Sequence, residues 1–305
     1  MGNLHWVLFF QKLVLLFIGS VLTFFLSSNM MSSLTQPEYD EEKSLVNVKR
    51  LGLKNSLTVH EKQIVTDVVF PEDVSVAFKD VVGLDKQKEL IKQLLLHTYP
   101  NVKHVNGLIL HGLPGTGKTM LAKAIAKESK SVFINFNISS IEDKFVGESN
   151  RRLDALFSLA EKLKSCVIFM DELDGFGSSR SVFDQSHVNN LKTLLLQRMD
   201  GVASLKGRII FIGATNNLDG IDPAIRRRMR LHIKIGLPDA VAIQCLIKTQ
   251  TKLENVEIAS ACCAKNASGS DISQLCVLAQ YEAIKHKRSD MLTSDLQEAF
   301  NLLYT

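Results

Sequence analysis

The chain has 305 residues, of which 46% are apolar and 22% are charged, so it carries ample material for a globular core. Its net charge is only +4, from 36 basic and 32 acidic residues, and no basic stripe runs along the sequence. These values exclude a disordered chain and argue against a nucleic-acid-binding protein. The length allows one large domain and one smaller domain.

From Leu4 to Leu26 the chain is almost wholly apolar, interrupted by Gln11 and Lys12, and we interpret residues 1–31 as an N-terminal transmembrane helix in the lipid bilayer. Two frames are open: Leu4–Leu26, which holds Lys12 within the hydrocarbon, and Leu13–Met31, which leaves Lys12 at an interface. The second is favoured, because a charge in the hydrocarbon costs about 3 kcal/mol on insertion scales. A cleaved signal peptide is the alternative, but a basic segment before the apolar stretch and a clear cleavage site are both lacking.

The remaining sequence divides into three segments. Residues 32–75 are polar, with apolar residues at helical spacing, and are predicted to be a linker with some helix. Residues 76–237 alternate apolar runs with helical patterns, which predicts a large α/β domain. Residues 238–305 contain helical patterns alone, which predicts a small helical domain.

The apolar runs of the α/β segment lack alternation, which is typical of parallel strands buried on both faces. The predicted strands are Gly107–His111, Val132–Phe136, Cys166–Met170, Arg208–Ile212 and Leu231–Ile235. The predicted helices are Asp85–His97, Lys118–Lys130, Arg151–Leu163, His187–Met199, Ala240–Thr249, Val256–Lys265, Asp271–Lys285 and Thr293–Leu302. The five cysteines form no Cys-x-x-Cys pair, and we assign them no chemistry.

A glycine-rich turn lies between the predicted strand Gly107–His111 and the following helix. It fits the pattern GxxxxGK[ST], which binds phosphate in this strand–turn–helix context. Its backbone N–H groups turn toward phosphate oxygens, Lys118 reaches the β- and γ-phosphates, and Thr119 offers its hydroxyl to Mg²⁺. The predicted ATP-binding residues are Gly112, Leu113, Pro114, Gly115, Thr116, Gly117, Lys118 and Thr119.

Two adjacent carboxylates follow the predicted strand Cys166–Met170. We assign Asp171 to the Mg²⁺ shell and Glu172 as the general base that activates the attacking water. An acidic pair after a strand is weak evidence by itself, because strand ends are often polar. Downstream of a phosphate-binding loop it becomes strong evidence for ATP hydrolysis.

Asn216 follows the predicted strand Arg208–Ile212. The carboxyl ends of parallel strands face the ligand, so a short amide there can position the water against the γ-phosphate. Asn217 is a rival for this role, and a simple turn is the other explanation.

Three consecutive arginines, Arg226, Arg227 and Arg228, come ten residues later. A charge run is commonly a solvated surface turn. Three adjacent positive charges nevertheless favour a nearby anion. The γ-phosphate bound by a neighbouring subunit is such an anion, and an arginine finger would reach it. This explanation implies a ring of subunits.

Together these motifs resemble the AAA ATPases over residues 76–305, including Ala-Thr-Asn at 214–216 and Ser-Gly-Ser-Asp at 268–271. The apolar N-terminus and segments 119–129, 138–150 and 154–160 are most similar to the mitochondrial outer-membrane AAA extractases of mislocalised tail-anchored proteins. The resemblance implies a P-loop AAA parallel-sheet domain followed by a small helical lid, with one transmembrane helix before them. It also implies a homo-hexamer that uses ATP and Mg²⁺.

The same resemblance implies roles for individual residues. Asn216 corresponds to sensor 1, and Arg227 and Arg228 correspond to the finger pair. The segment at Val82 and Gly83 borders the adenine. The lid residue Gly269 lies in the sensor-2 region.

The central-pore loop of the family maps onto Lys144, Phe145, Val146 and Gly147. An exposed aromatic beside a glycine can intercalate between the side chains of an extended polypeptide. A core position in the following helix is the other interpretation of Phe145. The chain departs from the family at Val146, where a second aromatic is usual, and at Leu113, where proline is common. The second pore loop, around 178–187, matches poorly, and we transfer no residue from it.

We therefore expect a membrane-anchored AAA ATPase that extracts tail-anchored proteins by threading them through a hexameric pore. The expected location is the mitochondrial outer membrane, with peroxisomes as the other possibility. ATP use places the ATPase domain in the cytosol, although Lys12 and the positive-inside rule indicate the opposite orientation. The alternatives are a severing or scission-type AAA ATPase and a non-hydrolysing scaffold. The apolar N-terminus argues against the first and Glu172 against the second.

Overall fold

The computed structural model describes residues 40–53, 57–96, 106–137, 148–177, 182–202, 208–253 and 255–304. Residues Met1–Glu42 form one unit by their contacts and residues Lys43–Thr305 form another. The predicted membrane helix at 1–31 and the predicted pore loop at 144–147 both lie outside the described residues. Among the described residues, no helix is both long enough and apolar enough to cross a membrane.

The large domain is built on a six-stranded sheet in the order β1-β3-β4-β5-β2-β6. Strands β2 to β6 run parallel to one another. Their carboxyl ends therefore lie along one edge of the sheet, which we call the carboxyl edge. The strands are β1 Val68–Val69, β2 Gly107–His111, β3 Val132–Asn137, β4 Ser165–Asp171, β5 Arg208–Thr215 and β6 Leu231–Lys234.

Eleven α-helices lie within the described residues. Those before the C-terminal region are α1 Glu41–Arg50, α2 Val59–Thr66, α3 Asp85–Ile91, α4 Lys118–Glu128, α5 Glu148–Leu163, α6 Val182–Val202 and α7 Pro223–Arg228. The C-terminal four are α8 Ala240–Thr251, α9 Val256–Ala264, α10 Gly269–Lys285 and α11 Thr293–Tyr304. A π-helical turn, Lys92–Leu96, continues α3, and two 3₁₀ turns occupy Leu173–Gly177 and Leu218–Gly220.

Each predicted element has a counterpart, although the predicted helix Asp85–His97 is α-helical only to Ile91 and π-helical over Lys92–Leu96, and His97 lies outside the described residues. The other differences lie at the ends of elements. The predicted helix Lys118–Lys130 stops at Glu128, because Lys130 takes a left-handed φ of +51° that a helix cannot continue. The strand predicted to end at Ile212 runs to Thr215, and the last strand ends at Lys234 rather than Ile235.

The segment predicted to be a linker contains α1, α2 and β1. Strand β1 pairs antiparallel with β3, so the sheet is mixed rather than wholly parallel. Val65 and Val68 are buried in the same apolar cluster as the sheet residue Ile109. Some helix was expected here, but the polar composition hid the two-residue strand and the packing of the segment into the core.

Two apolar clusters cover the two faces of the sheet. The first joins the sheet to α5 and α6, with Phe157 against Phe211 at 5.7 Å between ring centroids. The second joins it to α4, with Phe133 stacked on Phe169 at 5.8 Å. A third cluster is confined to residues 243–304, as expected for a small helical domain. The fold thus holds the carboxyl edge on a rigid, two-sided core.

Candidate nucleotide site

The glycine-rich turn Gly112–Thr119 connects β2 to α4 at the carboxyl edge. A Cβ at Gly112 would lie 2.0 Å from the carbonyl oxygen of Ile235, so only glycine fits there. Gly115 has a φ of +74°, and a Cβ on it would lie 2.7 Å from Ser268 Oγ. The backbone can turn tightly here because these two positions lack side chains.

Lys118 is the first residue of α4 and is 9% exposed. Its Nζ donates to the carbonyl oxygens of Gly112 and Leu113, each at 2.9 Å, and to Asn216 Oδ1 at 2.8 Å. The ammonium group thus joins the phosphate-loop backbone to the residue that follows β5. Burial lowers the pKa of Lys118, while the carboxylates of Asp171 and Asp174 act to raise it.

Asp171 and Glu172 sit where β4 ends. Asp171 is half-buried, and its Oδ1 accepts the Glu172 N–H at 3.0 Å. Glu172 is exposed and has a φ of +51°. A left-handed conformation is uncommon for a residue other than glycine, asparagine or aspartate, and such positions cluster at functional sites.

The packing of the next residue accounts for this strained turn. Leu173 is fully buried, and a Cβ on Gly213 of β5 would lie only 2.5 Å from Leu173 Cδ2. Leu173 is therefore seated in a space that only glycine leaves open on β5. With Leu173 turned inward, the chain reverses at Glu172 and leaves its carboxylate in solvent at the carboxyl edge.

Asn216 and Asn217 make different contacts. Asn217 caps the 3₁₀ turn Leu218–Gly220, and its Oδ1 accepts the Gly220 N–H at 3.3 Å. Asn216 is exposed, and its Oδ1 accepts from Lys118. The geometry therefore favours Asn216 over Asn217 as the amide directed at the phosphate loop.

Two polar residues that the sequence analysis did not select complete this edge. The hydroxyl of Thr215, 1% exposed, donates to Asp174 Oδ1 at 2.7 Å. The same hydroxyl accepts the Asn217 N–H at 2.9 Å. The sequence carried a signal for both: Asp174 lies two residues beyond the predicted base, and Thr215 directly precedes Asn216.

The three arginines differ in their surroundings. Arg228 binds Asp200 with two parallel bonds, Nε to Oδ1 at 2.8 Å and Nη2 to Oδ2 at 2.6 Å. Arg226 lies 3.5 Å from Asp219. Arg227 is exposed, and its Nε donates to Pro223 O at 3.3 Å within the same helix. Of the predicted finger pair, Arg227 is thus the one directed to solvent, whereas Arg228 is held by a carboxylate of its own chain.

The residues that the resemblance places near adenine lie against the C-terminal helices. Gly83 approaches α8, since a Cβ on it would lie 3.7 Å from Ala242 Cβ, and Val82 beside it is half-buried. Gly269 begins α10, and the neighbouring Ser270 N–H donates to Gly115 O at 3.1 Å. The first turn of α10 therefore touches the phosphate loop.

This set of residues fits a magnesium-bound nucleoside triphosphate. The loop brings backbone N–H groups and a helix N-terminus together around a buried ammonium group, which is a site for phosphate oxygens. Thr119 Oγ1 and the Asp171 carboxylate are the oxygen ligands that Mg²⁺ prefers. Thr119 follows Lys118 in α4, and Asp171 ends β4 beside the central strand β5.

Comparisons with known proteins show which family the chain belongs to. The sequence profile of the family described as "ATPase family associated with various cellular activities (AAA)" matches residues 108–239. The "Outer mitochondrial transmembrane helix translocase" of Danio rerio is 36% identical over 247 residues, which cover 75% of this chain and 64% of that relative. The "Mitochondrial sorting homolog" of Caenorhabditis elegans is 33% identical over 277 residues, covering 84% of this chain and 80% of that relative.

A relative with a different name is about as similar. The "Proteasome-activating nucleotidase" of Saccharolobus solfataricus is 34% identical over 260 residues, covering 79% of this chain and 66% of that protein. Relatives with different names are thus similar to this chain over 75% or more of its length. The chain belongs to the AAA ATPase family and is an ATP-hydrolysing enzyme, similar to the outer mitochondrial transmembrane helix translocases.

Proposed function

We propose that the protein is a membrane-anchored AAA ATPase of the mitochondrial outer membrane, where it extracts mislocalised tail-anchored proteins. Its relatives named as outer mitochondrial translocases and as a mitochondrial sorting homolog support the location and the kind of task. The apolar stretch 1–31 supplies the anchor. The observation that carries the enzymatic part is the bond from buried Lys118 to Asn216, at the same edge as the exposed, strained Glu172.

In this proposal the residues of the carboxyl edge divide the reaction among them. Lys118 exchanges its carbonyl acceptors for phosphate oxygens, because hydrogen bonds between charged partners are stronger than bonds to neutral ones. The Glu172 carboxylate accepts the proton of the attacking water, and the Asn216 amide orients that water. Thr119 and Asp171 would hold Mg²⁺, which would supply positive charge to the phosphate oxygens.

Arg227 serves the site of the neighbouring subunit in a homo-hexamer. Its guanidinium is exposed at the end of α7, and Asp222 caps the start of that helix. Lys192, in the middle of α6, binds the same Asp222 at 2.9 Å, and Arg228 binds Asp200 near the C-terminal end of α6. Two ion pairs therefore fasten this short helix to a long one, so that Arg227 is presented on a fixed support.

Substrate threading falls to the pore loop at 144–147. Phe145 would intercalate between the side chains of an extended polypeptide, and movement of the loop with each hydrolysis step would pull the segment from the bilayer. Val146, in place of a second aromatic, weakens the grip or changes its selectivity. A severing or scission-type activity is the alternative, and the archaeal relative, which has a different name, keeps the choice of substrate open to test.

The test uses the full-length protein in liposomes that contain a fluorescent tail-anchored reporter. We expect ATP-dependent release of the reporter, loss of release in Phe145→Ala with most of the ATPase activity retained, and partial release in Phe145→Tyr. Release that is equal in Phe145→Ala and the parent would remove Phe145 from the mechanism. Disassembly of a filament or a membrane complex without reporter release would favour the alternative. Protease protection in cells would show whether the ATPase domain faces the cytosol.

A further inference from the structure

A buried hydrogen bond connects the turn after β4 to the end of β5. Its donor is the Thr215 hydroxyl and its acceptor is Asp174 Oδ1, at 2.7 Å, from residues 41 positions apart in sequence. Thr215 is 1% exposed, while Asp174 is half-buried in the 3₁₀ turn Leu173–Gly177. Neither side chain has a part in the reaction described above.

The Thr215 hydroxyl is fully engaged by this arrangement. Its one proton has two acceptors within reach, Asp174 Oδ1 at 2.7 Å and the Asn217 carbonyl oxygen at 3.0 Å, and the nearer, charged carboxylate is the stronger of the two. Its oxygen accepts the Asn217 N–H at 2.9 Å. This last bond closes a tight turn from residue 215 to residue 217, and such side-chain-to-backbone bonds fix local backbone direction. Asn216 lies at the centre of that turn, so the turn fixes the direction in which its side chain leaves the backbone, toward Lys118.

A third contact fixes the same turn from its far side. Asn217 Oδ1 caps the 3₁₀ turn at Gly220, and a Cβ on Gly220 would lie 3.5 Å from Asp174 Cβ. Asp174 therefore lies between two turns, the one that carries Glu172 and the one that carries Asn216. Its carboxylate binds Thr215, which directly precedes the residue predicted to orient the water, and Asp174 itself lies two residues beyond the residue predicted to be the base.

We propose that Asp174 is a positioning residue for ATP hydrolysis, which acts through the Thr215 hydroxyl to hold Asn216 against Lys118. The inference rests on the proposed role of Asn216. Asp174 reaches the chemistry through two hydrogen bonds: Asp174 to Thr215, and Thr215 to the Asn217 backbone. Outer residues that orient a catalytic side chain typically contribute about 10- to 100-fold in activity.

The Asp174 carboxylate is both a hydrogen-bond acceptor for Thr215 and a negative charge, and substitution can separate these two properties. An asparagine keeps an oxygen that accepts from Thr215 but removes the charge, whereas an alanine removes both.

Four variants of the full-length protein isolate the hydrogen bond. Thr215→Val removes the hydroxyl at nearly constant shape, and Thr215→Ser restores it. Asp174→Ala removes the acceptor, and Asp174→Asn restores it without charge. We expect kcat for ATP to fall about 10- to 100-fold in Thr215→Val and Asp174→Ala, with affinity for a fluorescent ATP analogue changed less than about threefold. Thr215→Ser and Asp174→Asn should recover most of that loss.

A double-mutant cycle with Asn216→Ala tests the route of the effect. If Asp174 acts through Asn216, Asp174→Ala lowers kcat little further once Asn216 is absent. Full additivity would overturn the inference, as would parental kcat in Thr215→Val, or an equal loss in Thr215→Val and Thr215→Ser. Asn216→Ala with parental kcat would overturn the proposed role of Asn216 together with the inference. A reduced kcat in Asn216→Ala beside parental kcat in Asp174→Ala would overturn the inference alone.

Discussion

Two carboxylates of similar chemistry, Glu172 and Glu61, occupy opposite environments. Glu61 on α2 is 1% exposed and accepts from Lys162 Nζ at 2.6 Å and from the Thr58 N–H at 2.7 Å. Glu172 at the carboxyl edge is exposed and sits on a strained backbone. A carboxylate with its bonds satisfied inside the protein holds elements together, whereas one held out in solvent by its backbone is available to a substrate.

The same contrast extends to the regions around them. Around Glu61, Lys162 joins α5 to α2, and Asn47 of α1 donates to Val65 O at 2.8 Å. These bonds fix the segment that the sequence analysis interpreted as a linker. At the carboxyl edge the bonds hold a few side chains in place for chemistry. We therefore expect substitutions in the first region to lower stability and substitutions in the second to lower turnover.

The largest effect should follow from Lys118→Met. Loss of the ammonium group removes the charge that faces the phosphates, and we expect kcat/KM for ATP to fall at least about 100-fold. Thermal unfolding should change little, since a buried charge is removed together with its desolvation cost. Lys123→Met on the same helix is the matched control and should keep parental turnover. Phosphate release measures the turnover of both variants, and calorimetry measures their thermal unfolding. A comparable loss of turnover in Lys118→Met and Lys123→Met would contradict the special role of Lys118 at the carboxyl edge.

Glu61→Gln should have the opposite pattern. Removing the charge weakens the bond between residue 61 and Lys162, and we expect the free energy of unfolding to fall by about 1–3 kcal/mol. Because Lys162 is partly exposed, the low end of that range is expected. ATP turnover per folded molecule should remain at the parental value. Glu161→Gln, exposed on α5, is the control and should lie within about 0.5 kcal/mol of the parent. Urea unfolding measures the free energy of unfolding of both variants, and equal values for Glu61→Gln and Glu161→Gln would contradict this prediction.

The pH dependence of stability sharpens the same point. Burial acts to raise the pKa of Glu61, but hydrogen bonds from Lys162, the Thr58 backbone and Ser158 outweigh it and lower the pKa below 4.5. A lowered folded-state pKa stabilises the protein above the unfolded-state pKa, and that stability is lost as pH falls through the folded-state value. Urea unfolding from pH 6 downward should therefore show a smaller decline in Glu61→Gln than in the parent, in the acid range below about pH 5.

The smallest effect is expected at the ion pair between Asp200 and Arg228. The pair is bidentate but solvent-exposed, so Asp200→Asn should cost at most about 1 kcal/mol of stability. Because the pair supports α7, we expect a modest fall in turnover of the assembled protein, well below that of Arg227→Ala. Equal losses in Arg227→Ala and Arg228→Ala would show that the two arginines share one role.

Features that depend on a local motif could be predicted from the sequence. The phosphate loop, the Asp171–Glu172 pair and the strands that carry them follow from patterns a few residues long. Contacts between distant positions were out of reach: Arg228 binds a carboxylate 28 residues away, and Thr215 binds one 41 residues away. The choice between Asn216 and Asn217 also needed the structure, because adjacent asparagines look alike until one of them caps a turn.

The most direct test of this account is Glu172→Gln, measured for ATP turnover and thermal unfolding beside Glu61→Gln. Glutamine keeps the shape but cannot accept the proton from water, so we expect kcat to fall about 100- to 10,000-fold while the unfolding temperature stays within a few degrees of the parent. Glu61→Gln should show the reverse, a lower unfolding temperature with parental kcat. Parental turnover in Glu172→Gln, or loss of stability and turnover together in both variants, would contradict the account. It would show that the carboxyl edge does not serve chemistry separately from the stabilising region around Glu61.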